Sequence, residues 1–370
     1  MQDEYQIPAL PLPFDIETKA VMKKTSLVRT ALGEMKGAAS GIPNKQILIN
    51  TLSLQESKDS SAIENIITTQ DELYQSDFEK KIFITTAAKE VYNHTHALLK
   101  YFNEIKENNL LTINQIIGIR STLVGNDEGF RKSSVNLKHL GTNAVVYIPP
   151  LSTEINQYMR ELEQFINDNT ISDLDPLVKM AIIHHQFESI HPFSDGNGRV
   201  GRIINILYLV KENLLDAPIL YMSRYINNHK DMYYVLLQEV RNKNTAHSWE
   251  KWIMFILEGV EQTSRHTIDI IKGIKELMLI QKNNIRNKLP NIYNQSLLNN
   301  IFMHPYTKID FMMKDLNISR NTTTKYLEEL INIGVLQKEK YGRDNYYVNT
   351  ELYNLLSNVS KNYPLKPKIL

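Results

Sequence analysis

Apolar residues recur along most of this chain at steps of three and four positions, the spacing that places them on one face of an α-helix. Residues 78–108 are an example, because Phe83, Ala87, Val91, His94 and Leu98 follow one another at such steps. Similar segments fill most of the chain beyond residue 150. The pattern therefore predicts a mostly α-helical protein.

Two of these helices are predicted on either side of a short polar loop. The pair Asp175-Pro176 combines a capping carboxylate with Pro at the first helical position, which predicts a helix start. That helix continues to about Ile190, since Pro192 disfavours helical backbone at the residue before it. The second helix is predicted from about Arg199 to Asn213.

Residues 125–150 interrupt the helical pattern. Three glycines divide this segment, and the β-prone stretch Ala144–Ile148 ends at two consecutive prolines. Alternating apolar and polar residues near Val135 extend the β-like character. We predict a short β-hairpin, referred to below as the flap, rather than a sheet domain.

The last 80 residues are predicted to form a separate module. Two short helices at 309–316 and 320–333 are followed by two strands at 336–341 and 345–348. Helix, turn, helix and hairpin is the order of a winged helix-turn-helix domain. We therefore predict three domains: an N-terminal helical region at 1–110, a helical core at 111–288 and this module at 289–370.

Composition narrows the possible functions. The 370 residues hold 42 Lys and Arg against 41 Asp and Glu, a net charge of +1 that argues against coating DNA or an acidic membrane. No cysteine is present, which excludes disulfides and thiolate chemistry and favours a cytoplasmic location. No apolar run approaches the roughly 18 residues that span a bilayer, so no membrane association is expected.

The loop between the two predicted helices has the features of a phosphate site. Gly196 and Gly198 let backbone amides approach a ligand closely. The free N–H groups at the start of the next helix form an anion site. Arg199 and Arg202, three positions apart, add forked donors suited to phosphate oxygens.

Two further side chains supply chemistry to this loop. His191 is a titratable group that can act as a general base. Asp195 offers a carboxylate where Mg²⁺ would bridge protein and phosphates. Together with the arginines they predict phosphoryl or nucleotidyl transfer. The embedded G-x-G-x-x-G pattern at 196–201 does not indicate dinucleotide binding, because it follows a helix rather than a strand.

The stretch HPFSDGNGRVGR at 191–202 matches H-x-F-x-[D/E]-G-N-G-R-x-x-R, the signature of the Fic family, at every fixed position. The chain is therefore similar to Fic proteins over roughly residues 5–270. Flanking segments also resemble the family, namely Glu188–Ile190, Gly129–Arg131, Tyr147–Pro150 and Leu220–Ile226. The C-terminal module resembles the winged-helix appendage of some bacterial members.

The resemblance implies transfer of AMP from ATP to a hydroxyl side chain of a target protein, with release of pyrophosphate. His191 would take the proton from the attacking hydroxyl, and Asp195 would hold Mg²⁺. The flap at about 140–149 would pair with the target's backbone as an added strand. The implied nucleotide-binding residues are Ser194, Asp195, Gly196, Asn197, Gly198, Arg199 and Arg202, with Asn228 reading the adenine.

A second segment resembles the family's inhibitory pattern, [S/T]-x-x-x-E-[G/N]. It begins at Ser60 and places Glu64 one helical turn later. The resemblance implies that Glu64 pairs with Arg199, the first arginine of the signature, and so withholds it from the γ-phosphate. The chain is then expected to be a self-inhibited adenylyltransferase.

Several alternatives remain open at this point. The same site could remove AMP from modified targets or use another nucleoside triphosphate, since a phosphate cradle is indifferent to the base. A nucleotide-sensing regulator that binds DNA through the C-terminal module is a third reading, although residues 308–350 show no clear basic excess. By analogy we expect a homodimer and allow for modification of the chain itself.

Overall fold

Helices dominate the computed structural model of this protein, which describes residues 5–76, 83–138, 141–341 and 344–358. The mostly α-helical fold predicted from the sequence is confirmed, with short antiparallel strands between the helices. No helix in the described ranges is both long and apolar enough to cross a membrane.

The described residues of the first part of the chain, 5–76 and 83–108, form four helices. They are α1 (Lys19–Ser40), α2 (Lys45–Ile63), α3 (Gln70–Gln75) and α4 (Thr86–Asn108). Asn65, two residues beyond the end of α2, has a φ of 62°, the left-handed backbone that commonly stops a helix. The predicted inhibitory segment therefore lies at the C-terminal end of α2, with Glu64 just outside the helix.

In the middle of the chain, the described residues form the strands of the flap and seven helices. The elements are α5 (Ile113–Val124), β1 (Leu137–Lys138), β2 (Val145–Tyr147), α6 (Ile155–Asn167), α7 (Pro176–Ile190), α8 (Asn197–Lys211), α9 (Ser223–Asn228), α10 (Lys230–Lys243) and α11 (Ala246–Lys288). The two strands of the flap are antiparallel, with Leu137 opposite Tyr147. Residues 139–140, within the predicted flap, lie outside the described residues.

α7 and α8 are buried on nearly all sides. Every residue from Leu177 to Ile190 is buried, and so is every residue of α8 except Gly198. α7 packs against both α6 and α8, and α5 packs against α8. Because these two helices are enclosed, the loop between them is held by the centre of the fold.

The described residues of the C-terminal segment form seven elements, of which two helices and two strands are the predicted ones and three are additional. They are α12 (Gln295–Met303), β3 (Tyr306–Thr307), α13 (Ile309–Leu316), α14 (Arg320–Asn332), β4 (Gln337–Tyr341), β5 (Asp344–Val348) and α15 (Thr350–Asn358). The strands form one antiparallel sheet in the order β3-β5-β4. Gly342 and Arg343, between the predicted strands, lie outside the described residues. The winged-helix assignment stays a prediction.

The chain divides into two compact units. Unit one comprises the described residues within Met1–Lys36, Ser53–Ile67 and Glu90–Arg265. Unit two comprises Gly37–Leu52, Thr68–Lys89 and His266–Leu370. All of the predicted site residues belong to unit one. The predicted domain boundaries at 110 and 288 stay predictions.

Candidate active site

α7 begins and ends as its sequence requires. The Asp175 side chain accepts a hydrogen bond from the Leu177 N–H at 2.8 Å, and Pro176 occupies the first helical position. His191 ends the helix with a φ of 49°, and its N–H still donates to the Phe187 carbonyl at 3.0 Å. The imidazole therefore stands at the junction between a buried helix and the signature loop.

The loop after His191 is closed by Asn197. Its side-chain oxygen accepts from the Phe193 N–H at 2.9 Å, and its amide nitrogen donates to the Phe193 carbonyl at 2.8 Å. Phe193 is buried and its ring lies 5.5 Å from that of Phe130. The Asn197 side chain is thus committed to the loop, and only its backbone amide is left for the predicted nucleotide-binding role.

Gly196 and Gly198 shape the start of α8. Gly196 caps the helix with a φ of 86°, and no side chain caps its first N–H groups. A Cβ at Gly198 would collide with Glu64 Oε1 and would lie 2.9 Å from an Arg202 guanidinium nitrogen. The Glu64 carboxylate therefore lies directly against the first turn of α8, where free N–H groups favour an anion.

Glu64 pairs with Arg202, and the expected pairing with Arg199 is wrong. Arg202 Nη2 lies 2.8 Å from Glu64 Oε1. The same guanidinium donates to Ser60 Oγ at 2.9 Å and to the Ser60 carbonyl at 3.0 Å. Arg202 is the more buried of the two arginines and faces the last turn of α2, whereas Arg199 pairs with a different glutamate.

Arg199 is held by a carboxylate from α4. Its Nη1 lies 2.5 Å from Glu90 Oε2, and its Nη2 lies 3.6 Å from Asp195 Oδ2. The Arg199 side chain is 5% exposed, and its Nε has no hydrogen-bond partner among the described residues. Each signature arginine is therefore bound by a different glutamate from the N-terminal helices.

A buried polar chain supports the Ser60 end of this arrangement. The His94 nitrogens lie 2.9 Å from Ser57 Oγ and 3.0 Å from Ser60 Oγ. Burial, reinforced by the nearby arginines, holds the pKa of His94 well below its usual value, so the ring is neutral. Ser57 Oγ donates to the Ser53 carbonyl at 2.8 Å, which assigns the His94 proton to Nδ1. Ser60 then donates to Nε2 and accepts from Arg202.

The His191 imidazole is also neutral at physiological pH. Burial, followed by the positive charges of Arg241 and Arg131, lowers the pKa of His191 to about 4. A neutral imidazole is the form that accepts a proton. Three residues earlier, burial raises the pKa of Glu188 to about 7, while Arg202 opposes that increase.

Arg131 connects the flap segment to the signature loop. Its guanidinium donates to the carbonyls of His191 at 2.9 Å, Ser133 at 2.9 Å and Pro150 at 2.6 Å. Its backbone N–H donates to the Pro192 carbonyl at 2.9 Å. Both ends of the flap segment are thereby attached beside His191.

Arg241 and Tyr147 make a second connection. The Arg241 guanidinium lies 3.9 Å from the centre of the Tyr147 ring and donates to Ser189 Oγ at 3.1 Å and the Glu188 carbonyl at 2.9 Å. The Tyr147 hydroxyl donates to the Ser189 carbonyl at 2.8 Å. β2 is therefore fixed to the last turn of α7.

Comparison with protein families agrees with this geometry. The Fic/DOC family N-terminal model matches residues 22–103 and the Fic/DOC family model matches residues 101–209, so together they span just over half of the chain. The chain belongs to the Fic/DOC family. A third model, described as the C-terminal domain of SoFic-like protein adenylyltransferases, matches residues 277–352 of this Fic chain.

Individual relatives share only part of their length with this Fic chain. The protein adenylyltransferase Fic of Aedes aegypti is 28% identical over 45% of this chain and 32% of its own length. A probable protein adenylyltransferase of Aquifex aeolicus is 29% identical over 48% of this chain and 54% of its own. The chain thus spans about a third to a half of these relatives. A Fic family protein from Desulfovibrio desulfuricans G20 has the same fold, with a TM-score of 0.56, 19% identity and coverage of 91% of this chain and 98% of that one.

Asp195 of the Fic signature fits the way proteins commonly hold Mg²⁺. The ion is usually bound by one or two carboxylates together with substrate phosphates and waters. The Asp195 side chain is 66% exposed and lies one residue before the cap of α8. No cluster of three or more His, Asp or Glu side chains that could hold a metal ion occurs in the described part of the chain.

The other two predicted nucleotide-binding side chains, Ser194 and Asn228, are exposed. Ser194 is exposed, with its hydroxyl 3.4 Å from both Arg120 and Glu128. Asn228 is exposed at the last position of α9. No hydrogen bond within the described ranges joins Asn228 to the Fic signature, and its adenine-reading role stays a prediction.

The sequence did not reveal the supporting residues around the Fic signature. Arg131, Arg241 and the α4 pair of Glu90 and His94 come from three separate segments, all outside the Fic signature. The one usable signal was the likeness of Gly129–Arg131 to the family's flap region. The others become visible only when the fold brings them to the two arginines and to His191.

Proposed function

We propose that this chain is a Mg²⁺-dependent protein adenylyltransferase that transfers AMP from ATP to a Ser, Thr or Tyr hydroxyl of a target protein, and that Glu64 inhibits the transfer. Two relatives named as adenylyltransferases support the reaction class. The observation that carries the proposal is the Glu64 carboxylate seated against Gly198 and paired with Arg202. An acidic side chain thus lies at the first turn of a helix, where free N–H groups favour an anion.

His191 supports the chemical step. Its neutral imidazole takes the proton of the target hydroxyl as the oxygen forms a bond to the α-phosphorus. The bond between that phosphorus and the bridging oxygen of the leaving pyrophosphate breaks. The products are an AMP ester on the target and pyrophosphate, and the proton remains on His191 until solvent removes it.

The first turn of α8 supports binding of the polyphosphate. Free backbone N–H groups, together with Arg199 and Arg202, place positive potential where negative charge accumulates in the transition state. Asp195 would hold Mg²⁺, which would neutralise phosphate charge. Glu64 opposes this arrangement because its carboxylate already neutralises Arg202 and would repel a phosphate oxygen at the same place.

The flap supports a protein target. Val145 and Val146 in β2 are exposed, while Tyr147 of the same strand is buried and anchored. A short exposed strand with a fixed base can accept an extended target segment through backbone hydrogen bonds. The target would then present its hydroxyl beside His191.

Label transfer from ATP labelled at the α-phosphate tests the proposal. We would compare wild type, Glu64→Gly and His191→Ala, with Mg²⁺, both alone and in a cell lysate. Glu107→Gly, an exposed glutamate near the end of α4, serves as the matched control. We expect strong labelling with Glu64→Gly, weak labelling with wild type and the control, and none with His191→Ala.

Two outcomes would contradict the proposal in different ways. Equal labelling by wild type and Glu64→Gly at saturating ATP would remove the inhibitory role of Glu64. No label with any variant, while ATP still binds, would remove the forward reaction with ATP. Parallel assays with labelled GTP, CTP and UTP, and with a target already carrying AMP, would then identify the reaction that replaces it.

A further inference from the structure

Glu90 is the second carboxylate, besides Glu64, that pairs with an arginine of α8. Glu90 Oε2 lies 2.5 Å from Arg199 Nη1, so the two side chains form a charge-assisted hydrogen bond. Asp195, the other acid near Arg199, is more distant at 3.6 Å. Glu90 is therefore the main partner of Arg199 in this conformation.

The exposure of the two partners differs. The Arg199 side chain is 5% exposed, whereas that of Glu90 is 33% exposed. A half-buried carboxylate can turn outward to water, whereas an enclosed arginine stays near its place. If the pair separates, Arg199 is left with free donors at the start of α8.

Arg199 also has unused hydrogen-bonding capacity. Its buried Nε lacks a partner among the described residues. A buried donor without a partner is unfavourable, and an oxygen-rich ligand would satisfy it. Arg199 is thus paired with Glu90 but keeps one hydrogen-bond donor without a partner among the described residues.

The same helix reaches the second arginine indirectly. His94 lies one turn after Glu90 on α4 and contacts Ser60 Oγ at 3.0 Å, and Ser60 in turn accepts from Arg202 at 2.9 Å. One face of α4 therefore touches both arginines, directly at Arg199 and through Ser60 at Arg202. Displacement of α4 would loosen both contacts.

We propose that Glu90 is a second inhibitory carboxylate that competes with nucleotide phosphate for Arg199. The inference rests on the proposed function, since it assumes that the first turn of α8 binds the phosphates of ATP. Glu64 and Glu90 then hold one arginine each, and ATP binds tightly only when both carboxylates have moved away. Glu90 acts through Arg199 and is a positioning residue.

Binding of MgATP to the full-length chain tests this inference. We would measure its Kd by calorimetry in a His191→Ala background, which prevents turnover, for Glu90→Gln and for the control Glu107→Gln on the same helix. We expect Glu90→Gln to tighten MgATP binding about tenfold, in the lower part of the range for coupled sites. The control is expected to leave the Kd unchanged.

Kinetics in a Glu64→Gly background provide a second readout. Glu90→Gln is expected to lower the KM for ATP by a similar factor with little change in kcat, a split that general loss of structure would not produce. Should Glu90→Gln fail to fold, Glu90→Asp keeps the charge but shortens its reach, and an intermediate Kd is expected.

The outcomes separate this inference from the function on which it rests. Weaker MgATP binding, or a higher KM, in Glu90→Gln would overturn the inference and show that Glu90 orients Arg199 productively. An unchanged Kd would also overturn it. If Glu64→Gly transfers no label but Glu90→Gln still tightens MgATP binding, the proposed reaction fails and the competition for Arg199 stands.

Discussion

His94 Nε2 lies 3.0 Å from Ser60 Oγ, in the last full turn of the helix that leads to Glu64. Because Ser60 also accepts from Arg202, the histidine fixes the serine that positions the arginine. The contact between Glu64 and Arg202 therefore depends on a residue of α4 that hydrogen-bonds to neither of them.

Replacing His94 is expected to weaken inhibition. His94→Ala removes two buried hydrogen bonds and leaves a cavity, which should lower the free energy of unfolding by about 2–4 kcal/mol. Loss of the bond that orients Ser60, about 1 kcal/mol, should raise label transfer roughly fivefold. His96→Ala, an exposed position on the same helix, is the control for both measurements. Unchanged transfer in a folded His94→Ala protein would disprove the linkage.

Arg131 is expected to be needed for transfer even when inhibition is removed. Arg131→Lys cannot reach three carbonyls at once, because an ammonium lacks the planar fork. In a Glu64→Gly background, label transfer should fall by about tenfold or more as the flap and the His191 carbonyl lose their common anchor. Lys132→Ala, at the exposed neighbouring position, should transfer normally. Wild-type transfer by Arg131→Lys would show that the anchor is dispensable.

The pH profile of transfer should be flat on its acidic side. With a pKa of about 4, His191 remains the neutral base throughout the physiological range, and protonation removes it only as the pH falls below that value. The kcat/KM of Glu64→Gly, measured from pH 4.5 to 8, is therefore expected to show no acid limb near pH 6.5. A half-maximal rate close to pH 6.5 would mean that His191 titrates as an ordinary histidine.

Glu188 makes stability depend on pH in the opposite sense from most carboxylates. Burial raises its pKa to about 7, so the folded chain keeps a proton there that the unfolded chain releases above about pH 4.5. The stabilisation is complete below pH 4.5 and is lost as the pH rises through 7. Relative to Glu188→Gln, wild type should lose up to about 3 kcal/mol between pH 5 and pH 8 in urea unfolding. A pH-independent difference between the two proteins would contradict this.

Local signals in the sequence were sufficient to predict the helix and the loop that carry the site. The Asp175 cap, the proline after it and the proline after His191 each act within a few residues, so the bounds of α7 follow from them. The signature fixed which residues share the loop. The strand at Val145–Tyr147 could also be predicted, because it lies within a segment of β-prone residues.

Which glutamate pairs with which arginine could not be predicted from the sequence in the same way. Arg199 and Arg202 are one turn apart and equally able to bind a glutamate, so sequence spacing does not decide between them. The decision depends on which helix end faces which arginine, a long-range property of the packing of α2 and α4 against α8. The wrong pairing of Glu64 with Arg199 and the missed contact between Glu90 and Arg199 have this one cause.

Glu64 occupies the first position after the last residue of α2, where the chain turns through the left-handed Asn65. Helix ends fray reversibly, at free energies far below that of global unfolding. Lys230 slows this fraying by donating to the Ile63 carbonyl at 2.5 Å, but it cannot abolish it. A small population of molecules is therefore open at this helix end, and under the proposed function the basal rate of transfer would rise and fall with that population.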